Sequence, residues 1–250
     1  MAACNYSKQF QILALLLVLF SVRVHASEEQ TCEKVVDALR MTLPMGPDDT
    51  IRAGACKLWP DDKTKMLVAI AYEPATQEPG SQEMQIPYYV ALVNAETFQV
   101  LSRYKSVIEQ DATTYIHGSS LWLDTARYLL KPDTRAFGLR VQSFHDRCTY
   151  EGGSDNALTL FVIEGFTMRP VLQGLYLSSW RIAGNRCGDE EVSMKQVDLT
   201  LSVEPTRTNG YADLLVTAKF KYSNNKKQTV KMQYNGKQYS PIPYAGSFLE

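Results

Sequence analysis

The sequence predicts a mainly β protein, an antiparallel β-sandwich or barrel-like domain with a short helical segment at its N-terminal end. Three observations predict it. From Lys65 to Tyr239, apolar residues alternate with polar ones or form short apolar runs of strand length. Turn-forming groups punctuate these runs at Asn94–Thr97, Lys131–Thr134, Glu164-Gly165 and Asn235-Gly236. Helical spacing is confined to Glu33–Leu43, so the strand–helix alternation of a parallel α/β fold is missing. A propeller needs a periodic blade signature, and Trp59, Trp122 and Trp180 do not recur at a fixed period.

Residues 1–26 read as a secretory signal peptide. A polar start with Lys8 leads into an apolar run, Ile12–Val22, and small residues precede Ser27 at Val24-His25-Ala26. The run is about half the ~20 residues that a spanning helix needs. The expectation is therefore an exported chain, periplasmic or secreted, with no transmembrane segment in its mature form. Residues 27–60 form the next segment. Val35, Val36, Leu39 and Leu43 fall at helical spacing, and Pro44 and Pro47 end the pattern. A helix this short is marginal alone, and a disulfide from Cys32 would clip it in place.

Residues 61–250 read as the β domain. Met66–Tyr72 is an unbroken apolar run, as expected of a strand buried on both faces. Glu73–Pro87 carries Pro74, Pro79, Gly80 and Pro87, the mark of a long loop suited to engaging a partner. Tyr88–Val93 pairs with Phe98–Tyr104 across Asn94–Thr97, where Asn bonds its own backbone. Ser119–Asp124 and Ala126–Leu130 read as the next pair. Arg135–Gln142 reads as a half-buried strand with Phe137, Leu139 and Val141 on one face. Ala157–Leu172 folds about Glu164-Gly165 as a hairpin and runs on through Leu175–Trp180. Last come three alternating strands, about Val197–Val203, Leu214–Tyr222 and Val230–Tyr234. They form a meander with one apolar face and one lysine-bearing face. Asn235-Gly236 predicts a two-residue turn pairing Tyr234 with Lys237.

Cleavage of the leader removes Cys4 and leaves Cys32, Cys56, Cys148 and Cys187. An even number in an exported chain reads as a disulfide framework with three possible pairings. Pairing of neighbours, Cys32–Cys56 and Cys148–Cys187, closes the shortest loops. The second bond would contribute roughly 3–4 kcal/mol on the chain-entropy account. A four-thiolate zinc site would need Cys-x-x-Cys knuckles, which the sequence lacks.

Three stretches, Ser120–Tyr128, Thr134–Arg140 and Leu158–Phe161 continuing to Arg169–Leu172, resemble those of a group of uncharacterised exported bacterial proteins. The likeness covers roughly residues 88–218. It implies a bacterial envelope setting and transfers no activity and no catalytic residue.

The composition narrows the function further. A formal charge of −1, which becomes more negative once Lys8 and Arg23 leave, argues against a nucleic-acid partner. No Gly-x-Ser-x-Gly elbow, His-Glu-x-x-His pair or phosphate-binding Gly-rich loop is present. His117, oriented by Asp111 or Asp124, is the candidate catalytic base, whereas His145 reads as a polar strand end. Asp61-Asp62 and Gly152–Asn156 offer oxygen ligands but lack the calcium-loop spacing, so no metal and no cofactor are expected. Lys219, Lys221 and Lys231 share one polar face of the last meander and are the candidate binding residues for an acidic partner. Tyr211, Tyr222, Tyr234, Tyr239 and Tyr244 suggest either a binding platform or half-buried strands.

The reading that follows is an exported, non-catalytic binding or inhibitor-type protein of the bacterial envelope, in an immunity or hydrolase-inhibitor role. Its partner would be an envelope protein or an anionic cell-wall component. The alternatives are a periplasmic hydrolase centred on His117 and an envelope structural or assembly subunit.

Overall fold

The computed structural model describes residues 32–76, 83–111, 114–145, 152–183, 193–221 and 227–240. The signal segment 1–26, the Cys148–Cys187 pair, Tyr222 and Tyr244 lie outside the described residues. Two compact units divide at Pro44/Met45. In the first, a helix (α1, residues 32–40) buries Val35, Val36 and Leu39. It ends in a turn where the Leu43 N–H donates to the Leu39 carbonyl at 2.8 Å, just before Pro44. Cys32 and Cys56 are disulfide-bonded.

The second unit is mainly β and sandwich-like. Its strands are β1 (Thr50–Leu58), β2 (Lys65–Glu73), β3 (Glu83–Asn94), β4 (Val100–Asp111), β5 (Thr114–Tyr115), β6 (Leu121–Lys131), β7 (Thr134–Val141), β8 (Phe144–His145), β9 (Gly152–Glu164), β10 (Thr167–Ala183), β11 (Ser193–Thr208), β12 (Tyr211–Lys221) and β13 (Lys227–Met232). Eleven of them form one mixed sheet that does not close into a barrel, while β5 and β8 pair separately.

The sheet forks at β10. Along one edge β10 pairs with β9, which continues to β7 and β6. Along the other edge it serves two different neighbours. Thr167 bridges Arg103 of β4 in parallel, leading to β3, β2 and β1. Farther along, Ser178–Ala183 pairs with β11, leading to β12 and β13. The outcome is two cores on opposite faces of β7 and β9. Ala136, Leu158, Leu160 and Val162 join Leu199, Leu214 and Val216 in one core. Phe137, Leu139 and Phe161 join Leu67, Val90 and Leu92 in the other. Adjacent side chains on a strand point to opposite faces, so every second residue of β9 serves a different core.

This arrangement corrects the half-buried reading of residues 135–142. Ala136, Phe137, Gly138 and Leu139 are all buried, because the face opposite Phe137 carries small residues against Leu158. A Cβ on Gly138 would stand 2.6 Å from Leu158 Cδ1. The expected pairing of Ser119–Asp124 with Ala126–Leu130 is also corrected. Leu121–Asp124 and Ala126–Leu130 lie in one strand, β6, which pairs with β7 through an irregularity between Asp124 and Tyr128. The Asp124 carboxylate accepts the Ala126 N–H at 2.9 Å and so stabilises a bulge where a turn was expected.

The Glu73–Pro87 loop is shorter than expected, since Glu83–Pro87 already belong to β3. Pairing with β2 ends at Ala71↔Tyr88, so the missing N–H of Pro87 interrupts no bond on that side. The first strand, β1, escaped the sequence reading because its alternation, Ile51, Ala53 and Ala55, is short, built mostly of alanine and interrupted by Gly54 and Cys56. The β2 run is buried from Met66 to Tyr72, as expected.

Of the two Asn-Gly pairs, the tight turn forms at Asn209-Gly210. Both have positive φ, 50° and 82°, and the flanking Thr208 and Tyr211 pair directly. At Asn235-Gly236 the side-chain oxygen of Asn235 accepts the N–H groups of Lys237 and Gln238, each at 2.9 Å. That widens the loop, and Tyr234 bridges Tyr239 instead of Lys237. Because an added methyl at Gly210 would touch nothing, Gly210→Ala isolates the backbone cost. The expected loss is about 1–2 kcal/mol, readable as a lower melting temperature.

Among the described residues, the strand β6 pairs with β7 alone. Three of its carbonyls accept cationic side chains: Leu123 from Lys57 Nζ at 3.4 Å, Thr125 from Arg135 Nη2 at 2.7 Å, and Leu130 from Arg207 Nη1 at 3.0 Å. Such capping blocks the addition of a foreign strand to the edge.

Candidate functional site

His117 is exposed, between β5 and β6. Its ring lies 3.9 Å from that of Phe144, centroid to centroid. Its Nδ1 receives the Ser119 N–H at 3.3 Å and lies 3.2 Å from Ser119 Oγ. Asp124 is not brought to it. That carboxylate is buried, at 4% exposure, and Tyr128 Oη donates to it at 2.9 Å. Arg140 donates through Nε at 2.9 Å and also through Nη2. Burial opposes ionisation of Asp124, but the Ala126 N–H, the Arg140 guanidinium and the Tyr128 hydroxyl outweigh it and lower its pKa. Burial first, and the Asp124 charge second, push the Tyr128 hydroxyl up to about 12. Asp124 is thus tied to β7 and to its own strand. The side chains of Asp111 and His145 lie outside the described residues.

The oxygen-rich turns are occupied by protein donors. Asp61 pairs with Arg135. Asp62 accepts the Thr64 hydroxyl at 2.6 Å and is held at about 2, chiefly by that bond and by Lys65. Asp155 accepts Trp180 Nε1 at 2.9 Å. Among the described residues no group of three His, Cys, Asp or Glu side chains is placed to hold a metal ion.

The tyrosines expected as a platform are core residues where they are described. Tyr211, Tyr234 and Tyr239 are buried, with the first two rings stacked 4.1 Å apart. Arg169 ties this cluster down. It bonds Glu164 through Nε and Nη2 at 2.9 and 2.8 Å, the Lys237 carbonyl at 2.7 Å and Tyr234 Oη at 3.1 Å. The Glu164 carboxyl is lowered by Arg169 in consequence.

The remaining candidates lie on the outward face of β11, β12 and β13. Antiparallel register sets three cross-strand rows there: Asp198–Lys219–Lys227, then Thr200–Thr217–Thr229, then Ser202–Leu215–Lys231. Two of the three expected lysines are engaged. Lys221 Nζ lies 3.3 Å from Asp198 Oδ2. Lys231 Nζ donates to Thr206 Oγ1 at 3.2 Å and lies 3.7 Å from the buried Asp213. Asp213 is lowered by the Thr206 and Thr208 hydroxyls and, less, by Lys231.

Lys219 is different. It is exposed, and its direct neighbour on β13 is Lys227. Neither has an ion pair or hydrogen bond among the described residues. Opposed like charges in a sheet sit with Cβ atoms about 4.5–5.5 Å apart and are destabilising. Asp198, on the far side of Lys219, already receives Ser178 Oγ at 3.0 Å, Gln196 Nε2 at 2.9 Å and Lys221. Lys227 belongs to the lysine-rich C-terminal stretch read from the sequence, but parity does not place it on this face, because it falls just outside the alternating run. The signal that would have found it is the register, which a hairpin of unknown loop length does not disclose.

Trp122 is a second exposed feature that the sequence did not mark. At 51% exposure it faces Arg140 at 4.4 Å and Lys57 at 5.8 Å. Compared with protein-family models, curated proteins and solved structures, the chain finds no match.

Proposed function

We propose that the chain is an exported, non-catalytic binding or inhibitor-type protein of the bacterial envelope, which engages an anionic partner through the outward face of β11–β13. The observation that carries this reading is the directly opposed Lys219–Lys227 couple, whose side chains have no ion pair among the described residues, on a hydroxyl-rich sheet face. Repulsion between these lysines is relieved when an anion sits over them, so the local cost becomes binding free energy. The Cys32–Cys56 bond supports an oxidising compartment. The resemblance read in Ser120–Tyr128 and Thr134–Arg140 is the ground for naming a bacterial envelope.

The test is salt elution of the oxidised protein from immobilised heparin, used as a polyanion probe. Lys219→Glu with Lys227→Glu is expected to elute at markedly lower salt than wild type, because two contacts with fixed anions are lost. A control with the same change in net charge, Lys63→Glu with Arg127→Glu, alters exposed residues elsewhere on the unit. If the control moves as far as the face variant, retention follows net charge alone and the face is not the binding surface.

A further inference from the structure

Lys219 and Lys227 do not stand alone. The next row of the same face places Thr217 directly opposite Thr229. Alternate residues of a strand share a face and lie about 6.6 Å apart, so the two pairs form a rectangle about 5 by 7 Å. Its corners are the Cβ positions of two lysines and two threonines. Among the described residues neither the Thr217 nor the Thr229 hydroxyl makes a hydrogen bond, whereas Thr200 donates its own to the Thr217 carbonyl at 3.4 Å. Among the described residues no carboxylate stands within the rectangle. Asp198, beside Lys219, is already engaged by Ser178, Gln196 and Lys221.

Resting on the anionic-partner reading above, we infer that Thr217, Lys219, Lys227 and Thr229 form a binding site for a phosphate monoester. A monoester carries close to two negative charges at neutral pH and three acceptor oxygens. Two lysines neutralise those charges, and two hydroxyls reach oxygens that the ammonium groups leave open. A carboxylate brings one charge and two oxygens, which leaves one of the opposed lysines uncompensated. The β-branched threonines hold few rotamers, so their hydroxyls are ordered before the ligand arrives.

The test uses the full mature chain, isotopically labelled and oxidised, in amide-shift titrations with three probes: inorganic phosphate, glucosamine 6-phosphate, and phosphatidylcholine vesicles containing phosphatidic acid. Shifts centred on residues 217–219 and 227–229 are expected, and the tightest probe identifies the source as free phosphate, phosphorylated sugar or lipid headgroup. Thr217→Val with Thr229→Val keeps the strand shape and is expected to weaken phosphate binding about fivefold, the loss of two charge-assisted bonds at an exposed site. The same variant should elute from heparin at the wild-type salt concentration. If the valine variant binds every probe as wild type does, or if shifts centre elsewhere, the phosphate assignment is overturned while the basic-face reading stands. If Lys219→Glu with Lys227→Glu leaves heparin retention unchanged, both fall together.

Discussion

Phe161→Ala is expected to destabilise the fold by about 3–5 kcal/mol, the usual range for emptying a large buried aromatic site. Phe161 is fully buried, with its ring 5.5 Å from that of Phe137 and 5.0 Å from that of Tyr104. On β9 it is directly opposite Phe137 of β7 on one side and Pro170 of β10 on the other. The surrounding sheet cannot close over the void, because Leu160 and Val162 on either side are committed to the opposite core. For a chain of this size the loss corresponds to a melting temperature lower by about 10 °C. A second consequence separates this fold from two independent half-domains. Trp59 packs edge-on against Phe137 at 5.9 Å and senses one core, while Tyr211 and Tyr234 sense the other. Trp59 fluorescence, read with Trp122 and Trp180 replaced by Phe, and the amide NMR signals of Tyr211 and Tyr234 should therefore melt together in Phe161→Ala, and likewise in Leu160→Ala. Separate transitions would show that β7 and β9 do not couple the two cores.

The double-cored wall explains which parts of the fold were legible in the sequence. Alternation is visible where one face meets solvent, as at Leu214, Val216 and Ala218, and there the strand and its faces were read as found. It fades where both faces are buried. The face of β7 opposite Phe137 read as open, yet Gly138 on that face is buried, with Leu158 pressed against the place a Cβ would take. The branch at β10 was not readable at all. It depends on one parallel bridge, Thr167↔Arg103, between segments far apart in the chain, and neither segment carries a local mark of it. The Asn-Gly turns show the same limit. Both pairs permit a tight hairpin, but at Asn235 the side chain takes over the turn's hydrogen bonds, an outcome set by where Tyr239 must pack.

The candidate face was half legible. Parity on β12 and β13 was enough to place Lys219, Lys221 and Lys231 together. It could not say which lysines had partners, since Asp198 and Asp213 come from register and from burial. Nor could it reveal that Lys227 opposes Lys219, or that a threonine row runs beside them. His117 and Asp124 are residue types able to do acid–base chemistry. The fold instead places Asp124 under Arg140 and Tyr128, where its charge serves the sheet.

That placement makes Asp124→Asn the second large effect. The carboxylate accepts the Ala126 N–H, the Tyr128 hydroxyl and two guanidinium N–H groups, and it is the counter-charge of Arg140, whose side chain is mostly covered. Asparagine keeps the volume but removes the charge and presents N–H donors toward groups that are themselves donors. Breaking one side of a largely buried pair leaves the other uncompensated, and the expected cost near pH 7 is about 2–4 kcal/mol. The pH dependence distinguishes lost charge from lost packing. The folded state lowers the pKa of Asp124, so its contribution is fully present above the unfolded carboxyl value near 4 and is lost as pH falls through the folded value. Asp62, Glu164 and Asp213 are lowered as well and contribute to acid loss in both proteins, which makes the difference between them the informative quantity. Urea unfolding at pH 7 and at pH 3 should show wild type and Asp124→Asn far apart at the first and closer together at the second. A gap that stays constant across that range would mean that the bulge at Asp124–Tyr128 needs the shape of the side chain and not its charge.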